Sequence, residues 1–385
     1  LSSPVLISET LNRALDGQEI LGADLHQLCL ESADDATELF RVSRILREKT
    51  KGRTISYTRN VFVNAVNLCR DICSYCTYRA EPGSAKESMM PVSNVRQLLK
   101  AAKRCGCIEA LFVTGERPEA KYAQAREWLR QEGFTSTAEY LTHCSEIAVS
   151  EGLFPHTNAG NLTAGEMREL RKTNSSMGLM LETASDRLAE PGMPHHLAPS
   201  KMPVARLEVL ENAGRLQIPM TTGILVGIGE NPGEMIDSIL AIRSLHQRYG
   251  HIQEVILQNF QPKPDTIMRA ERGAGHDYFK RIVSITRVAM PDMNIQIPPN
   301  LSPDSYSEFL HAGINDWGGI SPLTLDYVNP EFPWPHLNAV ADSTKSSGFT
   351  MRCRFPVYPE FFGMLHGAVR EQIAEFQDKD GFVRE

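Results

Sequence analysis

Two rhythms of apolar residues divide the chain. Over residues 6 to 50 they recur at helical spacing. In Ala36–Thr50, Leu39, Val42, Ile45 and Leu46 share one face and Gly52 follows, which predicts an amphipathic helix ended by glycine. From Ser56 onward, short runs rich in β-branched residues alternate with longer amphipathic stretches. The short runs predict eight strands, at Val61–Val66, Ala110–Thr114, Leu153–Thr157, Met177–Glu182, Met220–Val226, Val255–Phe260, Asn294–Ile297 and Gly313–Trp317. Helices are predicted between them at Val92–Arg104, Thr137–Glu151, Thr163–Lys172, Met202–Ala213, Pro232–Tyr249 and Ala274–Val288. Strands alternating with helices make a parallel sheet, and continuous apolar strands suit a sheet covered on both faces. Eight such units predict an α/β fold, a closed (β/α)8 barrel of the TIM type, with an open six-unit barrel as the alternative.

The domain expectation follows from this pattern: a helical extension over 1–55, the barrel over 56–335, and a second helical extension over 336–385. The proline-rich Asn329–Pro335 cannot form a regular element and is expected to close the barrel. Met364–Phe376 is predicted as a helix, and the charged tail from Gln377 is expected to fray.

Composition narrows the class. Charged residues are 23% and hydrophobic residues 42% of 385, the balance of a soluble globular protein. No apolar run reaches the length of a membrane span. A net charge of −7 argues against a nucleic-acid partner, which requires clustered Lys and Arg. The basic clusters at Lys100–Arg104 and Arg168–Lys172 read as solvated helix faces. The chain opens at Leu1, which leaves room for a removed upstream targeting piece; the residues present hold no signal-peptide pattern.

Eight cysteines in so long a chain are not a disulfide framework. Cys29, Cys105, Cys107, Cys144 and Cys353 are scattered. Cys69, Cys73 and Cys76 are bunched directly after the first predicted strand, where barrel enzymes keep their chemistry. Bunched thiols point to a metal or to catalysis, and to a reducing, cytoplasmic compartment. Thiolate is the usual ligand of iron–sulfur clusters. Three ligands with no fourth Cys or His nearby leave one metal position open, as substrate activation needs and as a closed structural site does not. Three buried core cysteines, or a zinc site completed by a distant His, are the competing explanations.

Cys69, Cys73 and Cys76, with Tyr75 before the last of them, resemble the C-x3-C-x2-C motif of the radical S-adenosylmethionine (SAM) superfamily. That resemblance implies one 4Fe-4S cluster held by the three Cys, with SAM on its fourth iron. Thr114-Gly115-Glu116 resembles the family's Gly-Gly-Glu motif for the SAM amine; Thr114 replaces the first glycine, so only Gly115 and Glu116 carry over. The same likeness implies SAM contacts at Tyr75, Glu182 and Arg206, and at Gly223 and Gly227 of Gly223-Ile-Leu-Val-Gly227-Ile-Gly-Glu230.

A narrower likeness covers about residues 50 to 335. Thr114-Gly-Glu-Arg-Pro-Glu119, His156-Thr-Asn-Ala-Gly-Asn161, Pro191-Gly-Met-Pro-His-His196, Gln258-Asn-Phe-Gln-Pro-Lys263 and Gly313-Ile-Asn-Asp-Trp-Gly-Gly-Ile-Ser-Pro322 are similar to the cyclising component of 7,8-didemethyl-8-hydroxy-5-deazariboflavin (FO) synthase. FO is the chromophore of coenzyme F420. The likeness implies a carbon–nitrogen lyase. It would act on the adduct that a tyrosine-using partner builds on 5-amino-6-(D-ribitylamino)uracil, with electrons from a donor such as ferredoxin or flavodoxin. Polar residues expected at the strand ends, namely His156, Asn158, Asn161, Gln258, Asn259 and Asn315, are the candidate substrate contacts. His195, His196 and Asp316 are the candidate proton donors or acceptors. Other full-barrel radical SAM enzymes, of the biotin synthase or tyrosine lyase type, and a noncatalytic metal-stabilised scaffold are the alternatives.

Overall fold

The computed structural model describes residues 4–32 and 35–384. Among these residues nine strands follow in chain order: β1 (Thr54–Val66), β2 (Glu109–Thr114), β3 (Phe154–Asn158), β4 (Ser176–Gly178), β5 (Met220–Val226), β6 (Ile252–Asn259), β7 (Ile295–Gln296), β8 (Asp316–Ile320) and β9 (Thr350–Cys353). β1 to β8 pair in sequence, all parallel, and β1 bonds both β2 and β8, so the barrel closes with eight strands. Its outer helices cover apolar strand faces, and one continuous core joins Val61, Phe112, Ile224, Leu257 and Ile295 to helix residues such as Leu99, Ile239 and Ile282.

Two helices have the bounds read from the sequence, Val92–Arg104 and Pro232–Tyr249. The second is set by local chemistry. The Asn231 side chain accepts from the Glu234 N–H, the Glu234 carboxylate accepts from the Asn231 N–H, and Gly250 ends the helix at φ 65°.

The differences lie where a neighbouring element decides. β1 begins at Thr54, because its first half is held between β8 and β9. β4 is regular over only Ser176–Gly178; after it the chain twists out of the ladder and Glu182 takes φ 67°. β8 starts at Asp316, three residues after the expected start. The C-terminal segment, expected to be helical over 336–385, also carries β9, which runs parallel to β1 from Thr54↔Thr350 to Tyr57↔Cys353. Beyond β9, Phe355, Val357 and Tyr358 are buried in the main core. The tail from Gln377 is tied down where fraying was expected. Arg352 pairs with Asp378 and, at 2.9 Å, with Asp380, and the Val383 N–H donates to the Cys353 carbonyl at 3.0 Å. At the other end of the chain, helices Gly22–Glu31 and Thr37–Lys51 pack on Pro232–Tyr249 and His276–Ala289. No helix among the described residues is long and apolar enough to cross a membrane.

Candidate active site

The three bunched cysteines leave β1 at the C-terminal end of the barrel. Their loop is framed by backbone bonds to other loops. The Arg70 N–H donates to the Glu116 carbonyl at 2.9 Å, Ile72 to Leu197 at 2.8 Å and Ser74 to Pro194 at 2.9 Å. Cys69, Cys73 and Cys76 are free thiols on the wall of a cavity of about 340 Å³ that runs into the barrel. Burial pushes the Cys69 thiol up to about 11 and the Cys73 thiol higher still. No three His, Cys, Asp or Glu side chains among the described residues converge tightly enough to hold a single ion. Three free thiols on one cavity wall are the ligand type that iron–sulfur clusters take.

The turn after β2 lies directly against this loop. A Cβ on Gly115 would stand 2.1 Å from the Leu68 carbonyl oxygen and 2.7 Å from Cys69 Cβ, so only glycine permits the approach. The Glu116 N–H donates to Cys69 Sγ at 3.2 Å. Glu116 is buried. Its Oε2 accepts from the Asn161 N–H at 2.9 Å, whereas Oε1 has no hydrogen bond among the described residues and faces the Arg70 guanidinium at 3.8 Å. A buried carboxylate oxygen without a donor is costly, and an ammonium brought by a ligand would satisfy it. The thiol rim, the tight Gly115 turn and this half-satisfied carboxylate all fit a 4Fe-4S cluster carrying SAM.

Glu182, also on the wall, pairs with Lys201. Burial alone would raise its pKa, but Lys201 and then Arg206 hold it below the usual carboxylate range. Arg206 lines the cavity too. Its Nε donates to the Ser200 carbonyl at 2.9 Å and its Nη1 to the Met180 carbonyl at 3.1 Å. Tyr75 lines the cavity, and its hydroxyl meets His195 Nε2 at 2.9 Å. Burial, and next Lys201, lower the His195 pKa to about 3, so that imidazole is neutral and positions Tyr75. His196 is exposed beside it. Gly223 and Gly227 stand behind the wall, with Leu225 between them facing in. A Cβ on Gly223 would lie 2.1 Å from the Ile256 carbonyl oxygen. Gly227 has φ +97°, and its N–H donates to Glu230 Oε1 at 2.6 Å.

Of the expected substrate contacts, His156, Asn158, Gln258 and Asn259 line the cavity. His156 Nδ1 meets Ser176 Oγ at 2.6 Å, and burial followed by Arg354 lowers its pKa to about 3. Asn161 stands behind Glu116, with its side chain donating to the Ser200 carbonyl at 3.1 Å. Asn315 and Asp316 are corrections. They lie at the start of β8, not its end, so they belong to the opposite mouth of the barrel. Asn315 is bound by Arg287 at 2.9 Å and Asp316 by Arg354 at 2.7 Å. Lys201 and Lys263 line the cavity and no motif announced their roles. Lys263 Nζ donates to the Val328 carbonyl at 2.7 Å, so only the fold shows that it ties two loops together.

Comparison with known proteins adds kinship to this geometry. The sequence profile of the Radical SAM superfamily matches residues 63–242. The chain is 44% identical over 333 residues to the 7,8-didemethyl-8-hydroxy-5-deazariboflavin synthase of Methanopyrus kandleri, covering 86% of this chain and 100% of that protein. It is 42% identical over 372 residues to the FO synthase of Nocardia farcinica, covering 93% of this chain but 43% of that protein. The chain thus spans less than half the length of some relatives and the whole of others. Among solved structures, the FeFe-hydrogenase maturase HydG from Carboxydothermus hydrogenoformans gives a TM-score of 0.73 at 19% identity, over 95% of this chain and 87% of that one. Methylornithine synthase (PylB) gives 0.69 at 18% identity, over 89% and 97%. At such identities the likeness is one of fold.

Proposed function

We infer the chemistry of this chain from the premise that it belongs to the radical SAM superfamily and, within it, to the family of FO synthases. It serves deazaflavin synthesis as the ring-closing component. It takes a hydrogen atom from the hydroxybenzyl–ribityluracil adduct, closes the ring and releases ammonia, acting as a carbon–nitrogen lyase. A separate or fused tyrosine-using component supplies the adduct, and a one-electron donor of the ferredoxin or flavodoxin type supplies electrons. The setting is reducing and cytoplasmic. One observation carries the reading: the thiol rim opens onto a deep cavity, in a chain 86% of which matches the full length of one 7,8-didemethyl-8-hydroxy-5-deazariboflavin synthase.

A 4Fe-4S cluster on Cys69, Cys73 and Cys76 would, with SAM at its open iron, supply the 5′-deoxyadenosyl radical. The chain's own residues bind and orient. Glu116 Oε1 takes the SAM amine, and the Gly115 turn lets the ligand and the cysteine loop lie close. Arg206 and the Glu182–Lys201 pair face the rest of SAM. His156, Asn158, Gln258 and Asn259 meet the flat, polar ring of the substrate. The enclosing barrel keeps water from the reacting carbon.

The chain should form FO from the adduct, SAM and a reductant, read by deazaflavin fluorescence. Tyrosine and 5-amino-6-(D-ribitylamino)uracil should not suffice without the partner. FO made from those two precursors by this chain alone would mean that too little chemistry is assigned to it. Deoxyadenosine without deazaflavin, in the presence of authentic adduct, would favour another radical SAM reaction.

Glu116→Gln should leave the cluster intact and weaken SAM binding tenfold or more, since hydrogen bonds to charged groups contribute about 1.5–3 kcal/mol. Iron content and SAM affinity are measured on the same anaerobic sample. Unchanged affinity would remove Glu116 from the SAM site.

A further inference from the structure

The interior of a (β/α)8 barrel is usually filled by layers of branched apolar side chains. Here the lower inward positions are polar. Thr58, Asn60, Glu109, Thr221, Glu254 and Gln296 all reach the cavity wall. Glycine makes room among them: a Cβ on Gly319 would stand 2.2 Å from Asn60 Nδ2. The C-terminal segment seals the floor with Arg354, which donates to Glu254 at 2.8 Å and to Asp316 at 2.7 Å.

One group on this floor lacks the partner its burial demands. Asn60 is 2% exposed, and its Oδ1 has no hydrogen bond among the described residues. It pairs in register with Glu109, a wall carboxyl that is 5% exposed, has the Thr58 hydroxyl beside it and has no ion pair among the described residues. Unpartnered buried polar groups are costly, and wall positions that bear them are built to meet a ligand.

Charge selects the kind of ligand. Asp316 and Arg354 neutralise each other. Burial raises the Glu109 pKa to about 7 against the pull of Arg354, and likewise raises that of Glu254. Carboxyls that hold a proton near neutrality donate as well as accept, as do the amides of Asn60 and Gln296 and the hydroxyls of Thr58 and Thr221. A ligand cation would need acceptors alone and would meet the Arg354 guanidinium. A chain of hydroxyl groups, each both donor and acceptor, matches the mixture. Glu109 lies five residues below Thr114 on β2, on the order of 15 Å at strand rise, so only an extended group can reach from the rim to the floor.

We propose that the barrel floor around Asn60, Glu109 and Glu254 is a subsite for a linear polyol, and that on the reading given above it takes the ribityl chain of the substrate. The substrate then enters polyol first and leaves its aromatic end beneath the thiol rim.

The test uses cluster-loaded protein and fluorescence titration with FO and with its N-methyl analogue, which lacks the ribityl chain. FO should bind at least tenfold more tightly than the analogue. In Asn60→Ala and in Glu109→Leu that preference should fall below threefold, with SAM affinity intact. If one variant fails to fold, the other decides. A preference unchanged in the folded variants, or absent from the wild type, overturns the subsite. FO formation from the adduct is followed on the same wild-type sample. FO made with the preference unchanged in the variants overturns the floor assignment alone. No FO made and neither deazaflavin bound overturns it together with the reading it rests on.

Discussion

Replacing any one of Cys69, Cys73 or Cys76 by alanine is expected to abolish the cluster, taking iron from about four per chain, as for one 4Fe-4S centre, to near zero. SAM cleavage should disappear with it. The loss should be one of ligand and not of fold, because backbone bonds such as Ile72 to Leu197 and Ser74 to Pro194 frame the loop, and a thiol enters that frame only where Cys69 Sγ accepts from the Glu116 N–H. Circular dichroism and the melting temperature of the apoprotein should therefore stay near wild type. Alanine at Cys29, Cys105, Cys107, Cys144 or Cys353 should leave iron content unchanged, since none of these lines the cavity. A requirement for any of these five would end the three-ligand reading. A colourless anaerobic protein with one tightly bound zinc would favour the scaffold alternative.

Arg354→Leu should destabilise the protein by about 3–5 kcal/mol, the usual consequence of removing one partner from a buried ion pair. Against a total stability of about 5–15 kcal/mol, that loss is large. Arg354 is 3% exposed and holds both oxygens of Asp316, at 2.7 and 3.0 Å, as well as Glu254. Leucine would leave two buried carboxylates with neutral partners only: Ser56 and the Gly318 N–H for Asp316, and Tyr358 and Thr221 for Glu254. The sign of the pH dependence follows from Glu254. Burial already raises its folded-state pKa while Arg354 opposes that rise, so without Arg354 the rise is larger. A carboxyl with a raised folded pKa contributes most below its unfolded pKa and loses that contribution as pH rises. The defect should thus be smaller at pH 5.5 than at pH 8, measured by urea unfolding at both. Asp316→Asn added to Arg354→Leu should recover part of the loss. A defect under 1 kcal/mol, or one that grows toward acid, would contradict this account.

The fold was legible where short-range chemistry sets it. The apolar stripe and capping box of Pro232–Tyr249 lie within a few residues of one another, so its bounds could be read directly. The cysteine rim was legible for the same reason, since three thiols and the strand before them form one local pattern. Asn315 and Asp316 were misplaced because periodicity finds a strand but not its starting residue. A shift of three residues moved both from the catalytic mouth of the barrel to its floor. Lys201 carried no signal, because its partner Glu182 lies nineteen residues away and meets it only through a left-handed kink after β4.

By itself, then, the order of residues determined the alternation of strand and helix, the thiol triad and the family likeness, all of which rest on neighbours in sequence. Only the tertiary structure decided that β9 and Arg354 close the barrel from below, that Glu116 keeps one oxygen without a donor, and that the floor is polar. Those features are made by groups far apart in the chain, whose burial and pairing exist only once the barrel has closed.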